Sequence, residues 1–226
     1  MTPRGDFVFK GHELPKWVKE ELRRTAKRGA GDAAIVALTK AAAHFAAGRH
    51  SQALTEARNA KRHAPQSPTI METIGIAAYR SEMWDEALRE LKAFRRRTGE
   101  GTHLAIEMDI LRALGRDSDV EKTFALVRTG EMDAAARSEA KVVYASYLLD
   151  HGRPREAWAV AKPGKMGESP SEAALRQWYV AARAAVGAGD TETAIKIGQR
   201  IRKNDKAFPG LELLDQEIAA SANTGP

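Results

Sequence analysis

Apolar residues recur at three- and four-residue steps along most of the chain, most clearly in residues 68–99. Two such runs occur there, separated by a short polar turn. The first run is Met71, Ile74, Gly75 and Ala78, and the second is Ala87, Leu88, Leu91 and Phe94. This spacing places the apolar residues of each run on one face of an α-helix. Residues 68–99 therefore predict two amphipathic helices joined by a turn.

The same pattern returns before and after this stretch at a nearly constant interval. Each second helix opens with a small or short apolar residue, at intervals of 34, 33, 37 and 37: Ala53, Ala87, Val120, Ala157 and Ala194. The helix pairs are predicted at residues 33–48 and 51–63, 68–81 and 84–97, 101–114 and 118–129, 134–150 and 154–163, and 171–188 and 191–204. An interval near 34 residues, with a helix, a turn and a second helix in each unit, predicts an all-α array of repeats.

In these features the chain resembles the tetratricopeptide repeat (TPR) family. The pattern of that family is Trp-x2-Leu-Gly-x2-Tyr in the first helix, then Ala-x3-Phe and Pro. Ile74-Gly75 stands at the Leu-Gly position and Ala87-x3-Leu91 at the second motif, whereas the large aromatic positions are mostly absent. The resemblance covers residues 32–206 and implies about five repeats wound into a right-handed superhelix. It suggests a small, stand-alone bacterial protein of this family and implies no particular reaction.

The N-terminal segment, residues 1–31, is predicted to be a basic arm and helix outside the repeats. It carries eight Lys and Arg against four Asp and Glu. After an extended lead-in around Phe7-Val8-Phe9, a helix is predicted from Pro15. Its apolar stripe is Leu14, Val18, Leu22 and Ala26. This helix either caps the array by docking that stripe on the first repeat, or forms a basic amphipathic surface for RNA or an anionic membrane.

The C-terminal segment, residues 207–226, is predicted to cap the other end. It contains one helix with an apolar face formed by Leu211, Leu214 and Ile218.

The composition of the chain excludes some classes of function and location. The chain has no cysteine, so neither disulfides nor thiolate chemistry is expected. It has no apolar run long enough to span a membrane and no apolar signal-peptide core near its start, which predicts a cytoplasmic protein.

No residue constellation predicts an enzyme. None of the six histidines has the i,i+4 partner of a helical zinc site. Asp150-His151 lies near Ser146, but without the strand–turn–helix context of a nucleophilic serine. The glycine-rich turns do not follow a predicted strand, so no phosphate-binding loop is indicated. We therefore expect no catalytic residues, no metal and no cofactor.

The expected functional surface is the concave face that TPR proteins form from the first helix of each repeat. The family's inward-pointing positions imply eight partner-binding residues here: Glu72, Tyr79, Arg80, Asp109, Arg112, Arg176, Tyr179 and Arg183. The first repeat adds an apolar strip of Ile35, Leu38, Ala42 and Phe45. Such a groove suits an extended or helical protein segment that bears acidic groups. The expected function is that of a protein-binding scaffold; the alternative is an RNA- or ribosome-associated factor that uses the basic arm.

Overall fold

The structure, a computed structural model, describes residues 13–223, and these residues form twelve α-helices and no strand. The helices are α1 (Lys16–Thr25), α2 (Gly31–Ala46), α3 (His50–His63), α4 (Pro68–Tyr79), α5 (Trp84–Thr98), α6 (Leu104–Ala113), α7 (Asp117–Thr129), α8 (Ala134–Asp150), α9 (Pro154–Ala161), α10 (Glu172–Gly187), α11 (Thr191–Asn204) and α12 (Leu211–Asn223). The all-α prediction is confirmed, and the predicted helix ends differ from the observed ones by at most three residues. The predicted lead-in at residues 7–9 lies outside the described part of the chain.

The chain is divided into two compact units between Gly115 and Arg116. Helices α1–α6 belong to unit 1 and helices α7–α12 belong to unit 2. The division falls between the two helices of the third predicted pair. The net charge of +6 lies entirely in unit 1: residues 1–115 contain 20 Lys and Arg against 14 Asp and Glu, and residues 116–226 contain 16 of each.

Helix hairpins form the core of each unit. In unit 1, α2 pairs with α3 and α4 with α5, while α4 also packs on α2 and α3, α1 packs on α2, and α6 packs on α5. In unit 2, α8 pairs with α9 and α10 with α11, and α10 also contacts α8, α9 and α12. The five small residues that open the second helices are fully buried. Paired helices approach closely: a Cβ built on Gly75 would lie 2.5 Å from Cδ2 of Leu91.

The turns between paired helices share one backbone geometry. One residue of each turn has a positive φ of 58–87°: Gly48, Glu82, Gly115, Gly152 and Gly189. In every case its N–H donates to the carbonyl three residues earlier, at 2.9–3.1 Å. Glu82 is the one residue other than glycine with a positive φ among residues 13–223. The left-handed residues recur at intervals of 34, 33, 37 and 37, so the turns repeat with the same period as the helices.

None of the helices within residues 13–223 has both the length and the apolar character needed to cross a bilayer.

Candidate functional site

The eight predicted partner-binding residues fall into two groups, one in each unit. Unit 1 holds five of them, on α4 and α6 and just after α4: Glu72, Tyr79, Arg80, Asp109 and Arg112. Unit 2 holds the other three, all on α10: Arg176, Tyr179 and Arg183. The structure brings four residues of the first group together, and it pairs both arginines of the second group with carboxylates.

Tyr79 is the centre of the group in unit 1. Its hydroxyl donates to Oδ2 of Asp109 at 2.6 Å, and Nη1 of Arg112 donates to the other carboxylate oxygen at 3.1 Å. The guanidinium of Arg80 lies 6.0 Å from the centroid of the Tyr79 ring. The Tyr79 ring also packs against Trp84, with 5.7 Å between centroids. We refer to Tyr79, Arg80, Asp109 and Arg112 as the α4–α6 cluster.

The α4–α6 cluster is held in place but stays accessible. Tyr79 is half-buried, and the side chains of Asp109 and Arg112 are 38% and 27% exposed. Burial and the bond to Asp109 raise the pKa of Tyr79 to about 12, so its hydroxyl remains a donor at neutral pH. The exposed cation of the cluster is Arg80, whose guanidinium lies over the Tyr79 ring.

Glu72 does not belong to this cluster. It is 1% exposed, and its Oε1 lies 2.7 Å from Nε2 of His103, a ring that packs on Phe94. Two residues of the predicted apolar strip, Leu38 and Ala42, are also fully buried. The resemblance places Glu72, Leu38 and Ala42 on the partner-binding face, but in the structure their side chains are buried. Glu72 is covered by His103, which precedes α6, whereas Leu38 and Ala42 lie on α2, which packs on α1, α3 and α4.

Arg176 of α10 is already engaged by two carboxylates. Its Nη1 donates to Glu172, one turn earlier, at 2.7 Å, and its Nη2 donates to Glu139 of α8 at 3.2 Å. The side chains of Arg176 and Glu139 are both 42% exposed. An acidic partner at this position would compete with these two carboxylates for the guanidinium.

Arg183 is bound more tightly by α12. It makes three contacts of 2.7–3.0 Å with both carboxylate oxygens of Glu217, and this bonding raises the pKa of the guanidinium. The same guanidinium lies 5.9 Å from the ring centroid of Tyr179, whose other neighbour is Phe208 at 5.7 Å. The group on α10 is therefore neutralised within unit 2.

A set of buried carboxylates in unit 1 was not predicted from the sequence. Four glutamates are only 1–4% exposed: Glu21, Glu72, Glu90 and Glu107. Arg95 donates to both oxygens of Glu107, at 3.0 and 3.1 Å, and Lys61 is paired with Glu90. The sequence signal that could have revealed such a pair is the interval of 29 residues between Lys61 and Glu90, because this interval connects the second helices of successive pairs. A parallel pair, Arg58 with Glu86, has an interval of 28.

Hydrogen bonds of Glu21 connect α1 with the start of α4. Its carboxylate accepts bonds from the hydroxyls of Ser67 and Thr69, at 2.6 and 2.7 Å, and from the backbone N–H of Thr69 at 3.3 Å. A helix N-terminus favours a negative charge at this place. The apolar stripe of α1 is also buried: Leu14, Val18 and Leu22. These three residues pack inside unit 1 and are therefore not available to contact a membrane.

Within residues 13–223 the structure contains no group of three or more His, Asp and Glu side chains placed to bind a metal. Comparison with known proteins returned no match, whether against family models, curated proteins or solved structures.

Proposed function

We propose that this protein is a non-enzymatic interaction module of the tetratricopeptide type. Its binding surface is the α4–α6 cluster of unit 1, and its ligand is a protein or peptide segment. The observation that carries this proposal is the preorganised pairing of Tyr79, Asp109 and Arg112 on successive first helices.

The repeating turns support the assignment to this repeat type. Five turns share one left-handed residue and one hydrogen-bond pattern, at intervals close to the 34 residues of a tetratricopeptide repeat. In the four pairs that lie within one unit, the residue that opens the second helix is a fully buried alanine, as close helix pairing requires, and Val120 at the start of α7 is buried as well. These features occur together in every predicted helix pair.

The chemistry of the α4–α6 cluster supports a binding role. Tyr and Arg dominate the energetics of many interfaces, since they combine a large contact area with hydrogen bonding. Internal bonds already fix the Tyr79 hydroxyl and one Arg112 nitrogen, which reduces the entropy lost when a partner binds. The exposed guanidinium of Arg80 lies over the Tyr79 ring, 6.0 Å from its centroid.

The ligand proposed for this surface combines a carboxylate with an adjacent apolar group. The exposed guanidinium of Arg80, which lies over the Tyr79 ring, is the group proposed to bind the carboxylate, and Arg112 adds positive charge beside it. The ring of Tyr79 offers apolar contact next to it. In unit 2, Arg176 and Arg183 are already paired with acids, and we therefore assign them a secondary role.

Parallel affinity columns test this proposal. One carries the full chain, one the double variant Arg80→Ala with Arg112→Ala, and one the control Lys40→Ala with Lys92→Ala, which removes two cations of unit 1 that lie outside the cluster. Native lysate is treated with nuclease before loading, so that nucleic acid does not bridge proteins to the column. We expect a protein retained by the full chain and the control but not by the cluster variant.

Titration calorimetry with the purified partner then gives the magnitude. The cluster variant should bind at least tenfold more weakly, which corresponds to ~1.4 kcal/mol, and the control should differ by less than twofold. Equal retention on the cluster column, or equal loss in both variants, would refute the assignment of this surface.

A further inference from the structure

Three helix ends lie side by side in unit 1, and all of them are basic. The backbone N–H of Lys27, two residues beyond α1, donates to the carbonyl of His63, the last residue of α3, at 2.8 Å. In the last turn of α5, Nη1 of Arg97 donates to Oε1 of Gln66, in the connection that follows α3, at 3.1 Å. The C-terminal ends of α1, α3 and α5 therefore share one edge of unit 1.

Six exposed cations line this edge, and we refer to them as the basic edge: Arg24, Lys27, Arg28, Arg62, Arg96 and Arg97. None of them is paired with an Asp or Glu side chain of residues 13–223. Arg62 donates to Asn59 and Arg97 to Gln66, both of which are uncharged. By contrast, Arg23, on the preceding part of α1, is paired with Asp32. The positive charge of the basic edge is therefore not compensated by side chains of the fold.

Helix dipoles alone do not account for the basic edge. A cation in the last turn stabilises a helix by about 0.3–1 kcal/mol, yet α4, α8, α9 and α10 end without any Lys, Arg or His in that turn. Helices α3 and α5 each end in three consecutive basic residues. One cation of each trio, Lys61 or Arg95, neutralises a buried glutamate. The exposed arginines of the two trios, Arg62, Arg96 and Arg97, are not paired with a glutamate in this way.

We propose that the basic edge binds the phosphate backbone of a nucleic-acid strand. Guanidinium forks match the geometry of phosphate oxygens, and a strand supplies one phosphate per nucleotide without requiring a special sequence. The two hydrogen bonds that connect the three helix ends bring their cations to one edge, where several phosphates of one strand can be contacted together. A protein ligand would need a matching group of acids to use the same edge.

The surroundings of the basic edge favour this ligand over a lipid surface. Peripheral membrane binding by a basic helix also needs an apolar face, and the stripe of α1 is buried inside unit 1. The large exposed apolar residue of α1 is Trp17, in its first turn, at the opposite end of the helix from Arg24. The edge has no exposed aromatic residue for base stacking, so binding should depend on phosphates and not on base sequence.

Two matched triple variants of the full chain test the proposal. The edge triple is Arg28→Ala, Arg62→Ala and Arg96→Ala, one change at each helix end. The control triple is Lys162→Ala, Lys165→Ala and Lys206→Ala, which removes three exposed cations of unit 2. The probe is a fluorescein-labelled single-stranded RNA of about 20 nucleotides and mixed sequence, measured by anisotropy between about 50 and 200 mM salt. Circular dichroism confirms that each variant is folded.

We expect the edge triple to bind the RNA at least tenfold more weakly than the full chain at low salt, and the control triple to differ by less than twofold. The slope of log affinity against log salt should become shallower by about 2, since each phosphate contact to a single strand contributes about 0.7. Replacing the same three arginines by lysine should retain most of the affinity. A DNA strand of the same sequence should bind within about fivefold of the RNA.

Three results would overturn the proposal. The first is no binding of the RNA by the full chain at low salt. The second is an equal loss of affinity in the edge and control triples, which would indicate a general charge effect. The third is binding to vesicles of anionic lipid that the edge triple abolishes while RNA binding is unchanged, which would assign the edge to a membrane surface. The double variant Arg80→Ala with Arg112→Ala should leave RNA binding intact, so the test is independent of the α4–α6 cluster.

Discussion

Replacing Glu82 by glycine should stabilise the protein. Glu82 has a φ of 58°, whereas the corresponding residue in the other four turns is glycine. A left-handed conformation costs a residue with a side chain about 1–2 kcal/mol. Glycine avoids this cost but loses more freedom on folding, which offsets about 0.4–1 kcal/mol of the gain. The Glu82 side chain is exposed and makes no hydrogen bond or ion pair with residues 13–223, so its removal costs little.

The expected net effect of Glu82→Gly is an increase of about 0.5–1 kcal/mol in the free energy of unfolding. In a chain of this length, that corresponds to an increase of about 2 °C in Tm. The assay is urea unfolding followed by circular dichroism at pH 7, fitted with a common slope for all variants. The turn should otherwise be unchanged, because the hydrogen bond from the backbone N–H of residue 82 to Tyr79 does not involve the side chain.

Two controls isolate the backbone effect. Glu82→Ala keeps the strain and should lie within about 0.5 kcal/mol of the parent. Gly48→Ala introduces the same strain into the preceding turn, where a new Cβ would have no atom within 4 Å, and should cost about 1 kcal/mol. If Glu82→Gly were no more stable than Glu82→Ala, the left-handed conformation at this turn would not be a source of strain, and the equivalence of the five turns would fail.

Three further predictions concern unit 1. Ala87→Leu should lower the free energy of unfolding by ~1–3 kcal/mol, because Ala87 is fully buried between paired helices, and an unchanged thermal melt would show that the register is wrong. Gly75→Ala should cost a similar amount, ~1–3 kcal/mol, because its Cβ would meet Leu91 at 2.5 Å; a gain in Tm would show that Leu91 moves aside freely. The pKa of Tyr79 is raised from 10.0 to about 12, so its contribution to stability is fully present below pH 10 and lost as the pH rises from 10 towards 12. Tyr79→Phe should therefore reduce the loss of unfolding free energy across that range, and an identical pH slope would contradict the raised pKa of Tyr79.

Local chemistry explains why the helices and turns could be predicted from the sequence. Apolar spacing sets the face of each helix, and glycine marks four of the five left-handed turn residues. Pro68 and Pro154 occupy the first turns of α4 and α9, where a helix does not need the missing N–H. These signals lie within a few residues of the feature that they predict, so no knowledge of distant contacts is required.

The candidate site was less predictable because it depends on distant neighbours. Glu72 and Tyr79 belong to the same helix and were both expected to face a partner. The structure buries Glu72 against His103, 31 residues away, and leaves Tyr79 partly exposed beside Asp109. Periodicity identifies the sides of a helix, but it does not tell which side a third helix covers. The pairing of Arg183 with Glu217 of the last helix is hidden from the sequence for the same reason.

The buried glutamates of unit 1 restrict which substitutions its helices can accept during evolution. Glu90 is paired with Lys61 of the preceding helix pair, and Glu107 is paired with Arg95 of the preceding helix. Loss of either cation by mutation would leave a buried carboxylate without its partner from another helix, at a cost of about 3–5 kcal/mol. A change at one of these positions therefore has to be accompanied by a change in another helix, so distant parts of the sequence evolve together.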